Sequence, residues 1–264
     1  MFIVTVLEFL LKIAMYAAFF VVLLLVMVYL MQNRMLYIPD APSQAMRFPE
    51  NNPKTYRNPA ERNMLYEDVV IQTKDGLSLH GWFIKQKNPL QHETLIYFHE
   101  NAGNIGNRLY SIDVLYQELE VNVLIVGYRG YGHSEGVPSE EGLALDAEAI
   151  YEWAVTCPQI SKHKLFFVGK SLGGAVAIQL AEKVQGSGQV AGLILENTFT
   201  SISDMVDHIF PFLARFKQVI LRINWPSIAR IPSVRLPMLF VLGTNDEIVP
   251  PHHIYRLHEA ATSA

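Results

Sequence analysis

The sequence has little of what several classes of protein need. Among 264 residues there is one cysteine, Cys157, so no disulfide can form within the chain, and no zinc-type Cys/His spacing surrounds it. Lysine and arginine total 21 against 25 aspartates and glutamates, a formal net charge of −4. Because binding to phosphate backbones needs an excess of positive charge, we expect no nucleic-acid partner. The sequence also implies no metal and no organic cofactor.

Charge is absent from one long stretch near the N-terminus. Residues 13–31, IAMYAAFFVVLLLVMVYLM, form an uninterrupted apolar run. A helix of about 20 such residues matches the about 30 Å hydrocarbon core of a bilayer. The alternatives are a buried core helix and a cleaved signal peptide, but the run exceeds the roughly 7–15 residues of a signal h-region and no small-residue cleavage site follows it.

We therefore expect residues 1–31 to be an uncleaved, single-pass membrane anchor. The charges that flank the run are too evenly divided to indicate which side of the membrane the remaining chain faces.

The rest of the chain divides at about residue 64. Residues 32–63 contain five prolines, which interrupt helices and central strands, and this predicts a proline-rich tether. In residues 64–264, apolar strand patterns alternate with helical ones after a hairpin signal with Asp75–Gly76 at its turn. This alternation predicts an α/β domain with a mostly parallel sheet and helices on both faces.

The strongest chemical signal is Gly169-Lys170-Ser171-Leu172-Gly173, a G-x-S-x-G motif between a strand pattern and a small-residue helix pattern. Such a strand-to-helix turn is so tight that only glycine clears the neighbouring backbone at its two ends, and the serine is raised above the sheet. We predict Ser171 as a nucleophile, against the alternative of an ordinary turn serine.

Two backbone N–H groups are candidates for an oxyanion hole. In this geometry one donor is the residue after the nucleophile, Leu172, and the other comes from the loop after the strand that ends at Phe98. We choose Asn101, because it lies where the chain leaves that strand under glycine control. His99 in the same loop is better explained as a packed residue than as a base.

A carboxylate follows the last predicted strand, residues 238–243. Asp246 lies where an acid that orients a catalytic histidine belongs, in the chain order serine, acid, histidine. Glu247 and Glu196 are the alternative acids.

The order of the motifs YFHENAGN, VGYRGYGHSEG, GKSLGG, ENTFTS and GTNDEIVPP resembles the α/β-hydrolase superfamily, and more narrowly its membrane-anchored branch in fungi and animals. The resemblance covers residues 65–260 and the anchor. It implies an eight-stranded sheet and a lid at about residues 197–236. Glu100 stands where relatives usually carry glycine. The apolar segment 209–225 within the lid is compatible with acyl-chain contact, core packing or a membrane-surface patch.

The catalytic histidine of such a fold is expected about 25 residues or more beyond the acid, after a helix and a final strand. Only 18 residues follow Asp246, and their histidines, His252, His253 and His258, fall on the expected helix. We therefore expect that the final strand and helix and the general base are missing, that the chain is truncated, and that it has little activity.

The sequence thus predicts a membrane-anchored serine hydrolase that cleaves an ester, thioester or amide through an acyl-enzyme. Its partners would be the membrane and a small-molecule or lipid-like acyl substrate. The alternative is a non-catalytic hydrolase-fold scaffold that binds a lipid or protein partner.

Overall fold

The computed structural model describes residues 2–161 and 164–262. It begins with helix α1, Phe2–Leu36. The stretch Val4–Leu36 is long and apolar enough to cross a membrane, and its most apolar window is not covered by protein. At 1.5 Å per residue the helix is about 50 Å long, whereas a hydrocarbon core is about 30 Å thick. The helix therefore continues past the apolar run, and its last turns reach the folded domain.

The predicted tether lies against this domain. Beyond α1 it forms four short 3₁₀ turns: Gln44–Met46, Pro49–Asn51, Lys54–Tyr56 and Pro59–Arg62. The buried side chains of Asn52 and Asn104 donate hydrogen bonds to each other, and Asn104 Nδ2 also donates to the Met46 carbonyl. Prolines prevent a regular helix here, and side-chain amides satisfy the backbone instead.

The described residues contain a seven-stranded sheet in the order β1-β2-β4-β3-β5-β6-β7. Strands β1 and β2 form the antiparallel hairpin that Asp75–Gly76 predicts, β2 pairs with β4 antiparallel, and the remaining pairs are parallel. The predicted mostly parallel sheet is therefore confirmed. The strands are Tyr66–Gln72, Ser78–Ile84, Thr94–Phe98, Asn122–Val126, Leu165–Lys170, Val190–Glu196 and Met238–Val241.

Helices cover both faces of the sheet, as the sequence predicts. Leu95 and Tyr97 of β3 belong to the core cluster that includes α2, whereas Ile96 and Phe98 belong to the cluster that includes α3, α4 and α8. This division follows the two-residue period of a strand. The helices after α1 are Leu109–Glu118, Glu140–Thr156, Leu172–Val184, Ile202–Ile209, Lys217–Ile220, Ser227–Arg230 and His252–Ala260, numbered α2 to α8.

The segment between β6 and β7 forms a cap over the carboxyl ends of the strands. We call residues 197–236 the lid; it contains the short helices α5, α6 and α7. Trp225 of the lid is buried, and its Nε1 donates a hydrogen bond to the Tyr37 hydroxyl at 3.1 Å. The lid is therefore packed against the end of α1 as well as against the sheet.

Candidate active site

Ser171 occupies the turn between β5 and α4. Its backbone has φ 51° and ψ −121°, a conformation that side-chain-bearing residues rarely adopt. Neighbouring groups hold it there: the Ser171 N–H donates to the Glu196 carbonyl at 2.9 Å, and the Thr198 hydroxyl donates to the Ser171 carbonyl at 2.7 Å. Strain of this kind persists only where the surroundings enforce it and is concentrated at functional sites.

The glycines of the motif allow the close contacts around this turn. A Cβ at Gly169 would lie 2.4 Å from the Gly173 carbonyl oxygen, and a Cβ at Gly173 would lie 1.9 Å from the Phe98 carbonyl oxygen. Both clashes are with backbone, which cannot rotate away as a side chain can. The start of α4 therefore contacts the end of β3 directly, and this brings Ser171 beside the loop that follows Phe98.

The loop that contains Asn101 is fixed to the end of α1. The Asn101 carbonyl accepts hydrogen bonds from the Ile38 N–H at 2.9 Å and from the Tyr131 hydroxyl at 2.7 Å, and its side chain donates to the Leu36 carbonyl at 2.8 Å. Within the described residues, neither the Asn101 N–H nor the Leu172 N–H has an acceptor. Asn101, Leu172 and Ser171 line one cavity.

His99 is a packed residue, as its position in the loop suggests. It is fully buried, its Nδ1–H donates to the Glu100 carbonyl at 2.7 Å, and its Nε2 accepts from the Tyr128 N–H at 3.4 Å. Burial lowers the pKa of His99 to about 3. With both ring nitrogens engaged and the ring neutral, His99 supports the loop and has no free nitrogen for proton transfer.

The Glu100 carboxylate is paired with an arginine. Its Oε2 lies 2.9 Å from Nε of Arg108, although the two groups are not aligned as a hydrogen bond. The Arg108 side chain also donates to the Ala102 carbonyl. The guanidinium thus balances the negative charge of Glu100.

Asp246 is held in a turn after β7. Its Oδ1 accepts hydrogen bonds from the N–H groups of Ile248 and Val249, both at 2.9 Å, and the side chain is half-buried. Oδ2 has no donor among the described residues. Ile248 and Val249 line the same cavity as Ser171, so the end of the Asp246 turn borders that cavity. Of the alternative acids, Glu196 forms an ion pair with Lys170 at 2.7 Å.

The three histidines after Asp246 all lie on α8. His253 is buried, and its Nδ1 accepts from the Thr200 N–H at 3.3 Å and contacts the Thr200 hydroxyl at 2.8 Å; burial lowers its pKa to about 4. His252 stacks on His253, and the His258 ring lies edge-on to Phe240 on the sheet. Within the described chain, none of them forms a hydrogen bond with Ser171 or Asp246.

Ser171 opens into a cavity of about 300 Å³ between the lid and α1. Its lining includes residues of α1 (Val28, Gln32 and Met35) and residues of the lid (Met205, Val206 and Leu213). Sequence reasoning missed the part of the lining that α1 supplies, because a membrane anchor is normally treated as separate from the catalytic domain. The available signal was Gln32, the first polar residue after the apolar run.

Gln32 joins α1 to the lid. It is 6% exposed, its Nε2 donates to the Ile220 carbonyl at 2.6 Å, and its Oε1 accepts from the Arg222 N–H at 2.8 Å. Nε of Arg222 in turn donates to the Tyr29 carbonyl at 3.0 Å.

In residues 2–161 and 164–262, no group of three or more His, Cys, Asp or Glu side chains is arranged to hold a metal ion.

Comparison with known proteins agrees with this architecture. The profile of a family described as "Serine aminopeptidase, S33" matches residues 98–230. The α/β-hydrolase domain-containing protein WAV2 of Arabidopsis thaliana is 37% identical over 88% of this chain and 76% of its own length. Protein bem46 of Schizosaccharomyces pombe is 42% identical over 82% of this chain and 73% of its own length.

An uncharacterized membrane protein of Saccharomyces cerevisiae is 40% identical over 88% of this chain and 78% of its own length. Among solved structures, the Pyrococcus furiosus esterase Pf2001 superimposes with a TM-score of 0.61 at 22% identity, over 77% of this chain and 80% of that one. At this identity the structural likeness shows the fold, while the curated relatives and the profile show the family. The chain belongs to the α/β-hydrolase family.

Proposed function

We propose that the protein is a membrane-anchored serine hydrolase that cleaves an ester, thioester or amide of an acyl substrate. The observation that carries the proposal is the strained backbone of Ser171, which presents a half-buried hydroxyl to a cavity at the N-terminus of α4. The positive end of that helix and the two unpartnered N–H groups favour the negative charge that develops on the substrate's oxygen.

The proposed reaction assigns each group a role. Ser171 Oγ loses its proton to a base and bonds to the substrate's carbonyl carbon, and the resulting oxyanion accepts hydrogen bonds from the N–H groups of Asn101 and Leu172. The bond to the leaving group then breaks, and that group departs with a proton as alcohol, thiol or amine. Water attacks the acyl-enzyme, which releases the carboxylic acid and restores the serine.

Asp246 is assigned to orient a histidine through its unpartnered oxygen. His252, His253 and His258 lie on α8, and in the described chain none of them forms a hydrogen bond with Ser171 or Asp246, so we propose that none of them is that histidine and that this chain reacts slowly. Without a base the serine remains a neutral hydroxyl, and the rate falls by a factor on the order of 10⁴.

Two other functions are less well supported. An aminopeptidase needs an acidic group to bind the substrate's terminal ammonium, yet none of the described side chains that line the cavity is charged. A non-catalytic scaffold would not explain the strained backbone of Ser171. Fluorophosphonate labelling of Ser171 distinguishes such a scaffold from an enzyme.

We expect an alkyl fluorophosphonate to modify Ser171 slowly, and the Ser171→Ala variant to remain unmodified. If no histidine assists, the rate constant should rise about tenfold per pH unit from about pH 6 to about pH 9, because hydroxide must form the alkoxide. Added imidazole should accelerate labelling of the wild type only. Intact-mass spectrometry over time measures both rates.

Labelling that persists in Ser171→Ala would refute the serine as nucleophile. Fast labelling that levels off above the ordinary histidine pKa, about 6.5, would show that a histidine of this chain serves as the base. Alanine variants of His252, His253 and His258 would then identify it.

We also propose that α1 anchors the protein in a membrane. It is long and apolar enough to cross a bilayer, and its most apolar window is not buried by the domain. After expression in cells, the protein is expected to stay in the membrane pellet after alkaline carbonate extraction, as judged by immunoblotting. Its recovery in the supernatant would show that α1 does not span the bilayer.

A further inference from the structure

We propose that the substrate is a membrane lipid whose acyl chain enters the cavity at Ser171 from the bilayer, along the last turns of α1. This inference rests on the proposed hydrolase function and adds the substrate class and its route. Its structural basis is that the helix predicted to anchor the protein also lines the cavity at the serine.

The cavity reaches from membrane depth to the serine. Val28 belongs to the apolar run, residues 13–31, whereas Leu36 lies beyond it; both line the cavity. These two positions are about 12 Å apart along the helix axis. An acyl chain that leaves the hydrocarbon core beside Val28 therefore meets Ser171 without crossing water.

The cavity wall is apolar where a chain would lie. The polar side chains among the described lining residues are Gln32, Asn101 and Ser171. Both amide atoms of the Gln32 side chain bond to the lid backbone, and the Asn101 side-chain N–H donates to the Leu36 carbonyl. The Ser171 hydroxyl and the N–H groups of Asn101 and Leu172 are thus the polar groups left to meet the substrate, in an otherwise apolar cavity.

A volume of about 300 Å³ lies at the lower end of the range for ligand pockets, about 300–1,000 Å³. This is suited to one acyl chain and leaves a lipid headgroup outside.

The lid indicates where the membrane surface lies. Arg222 of the lid contacts the Tyr29 carbonyl, and its guanidinium lies 4.9 Å from the centre of the Tyr29 ring. A guanidinium and a tyrosine are typical of the headgroup level. The lid also exposes large apolar side chains that water would disfavour but the acyl boundary would accept: Ile209, Phe212, Phe216 and Val219. We assign these exposed side chains and α1 to one membrane-facing surface.

The test uses the full chain in phosphatidylcholine nanodiscs that contain a phosphatidylcholine with a diazirine in its palmitoyl chain. After illumination, peptide mapping locates the cross-links. We expect adducts on cavity residues Met205 and Leu213. Val28→Trp, which fills the cavity, should reduce these adducts about tenfold, because excluding about two methylenes from an apolar site costs that much affinity. The matched control is Val26→Trp, at an exposed position on the same helix.

A second pair of variants protects the test against a misfolded α1. Val206→Trp fills the cavity from the lid side, and Val219→Trp changes a lid residue that is 81% exposed and does not line the cavity. Each variant is first shown to unfold at the wild-type temperature in the same nanodiscs. The lipid route would be refuted if adducts formed only on the outer face of α1. It would also be refuted if the cavity-filling variant and its control reduced the adducts equally in each pair.

The Ser171→Ala variant separates this inference from the proposed function. Lipid adducts inside the cavity do not require catalysis, so they should persist in Ser171→Ala. Cavity adducts together with a serine that never reacts with fluorophosphonate would retain the lipid site and refute the hydrolase. A serine that reacts with fluorophosphonate in a protein without cavity adducts would retain the hydrolase and refute the lipid site.

Discussion

Gly173→Ala is expected to lower the free energy of unfolding by about 4 kcal/mol or more, the range seen when core packing is broken. The new Cβ would lie 1.9 Å from the Phe98 carbonyl oxygen, 2.4 Å from its carbon and 2.9 Å from the His99 carbonyl oxygen. All three atoms are backbone, so relief requires α4 to move away from β3. That movement would also separate the Leu172 and Asn101 N–H groups, and Ser171 labelling should be lost even in molecules that remain folded.

The matched control is Gly186→Ala, which follows α4 in the same connection. A Cβ at Gly186 meets nothing within 4 Å, and the backbone there is not left-handed. Alanine should change the stability by at most about 1 kcal/mol, in the stabilising direction. Urea unfolding followed by tryptophan fluorescence compares the two variants. If Gly173→Ala unfolds at the wild-type urea concentration, the close contact between α4 and β3 does not exist.

Arg129→Ala is expected to cost about 3–5 kcal/mol, because it leaves a buried carboxylate without its counter-charge. Asp146 is fully buried; its Oδ1 accepts from Nε of Arg129 at 2.9 Å, and its Oδ2 accepts from the Arg129 N–H at 2.8 Å. The same guanidinium donates to both carboxylate oxygens of Asp75. Arg129 therefore joins the turn of the β1–β2 hairpin to α3 and fixes the loop after β4.

The loss of folding stability in Arg129→Ala should depend on pH. Burial raises the pKa of Asp146, and Arg129 opposes that rise. An acid whose folded-state pKa is raised stabilises the fold below its unfolded-state pKa, about 4, and this contribution disappears as pH rises through the folded-state value. Without Arg129 the folded-state pKa rises further, so the variant should be closest to wild type near pH 4 and most destabilised at neutral pH.

Thermal unfolding at several pH values measures this dependence. Arg256→Ala is the control, since its pair with Asp204 is partly exposed and such pairs contribute up to about 1 kcal/mol. Equal losses for both arginine variants at neutral pH would show that Asp146 is not a buried charge.

Much of the architecture follows from local patterns. The alternation of buried β-branched strands with helices predicts β3 to β6 and the helices between them. An apolar run of strand length is buried on both faces of a sheet, whereas an amphipathic helix buries one apolar stripe. The Asp75–Gly76 turn predicts the hairpin, and the spacing of glycines around Ser171 predicts a strained turn between strand and helix. These features depend on contacts within or next to each segment.

The proposed site is less local. The partners of Asn101 come from the end of α1 and from Tyr131, which lie far from it in the sequence. The sequence predicts only that His253 and His258 lie on a helix. The tertiary structure shows that His253 contacts the Thr200 hydroxyl and that the His258 ring contacts Phe240. The Arg108 partner of Glu100 likewise shows which way the side chain points, and nothing in the sequence indicates this direction.

The sequence by itself determined the long apolar helix, the α/β order and the serine at a tight turn, since hydrophobic period, helix length and glycine requirement are properties of short stretches. Only the tertiary structure decided that α1 and the lid enclose one cavity at Ser171. That result depends on Gln32 meeting the backbone of Ile220 and Arg222, almost 190 residues away. Such contacts depend on how elements that are distant in the sequence pack together, and the hydrophobic periodicity within either element does not predict them.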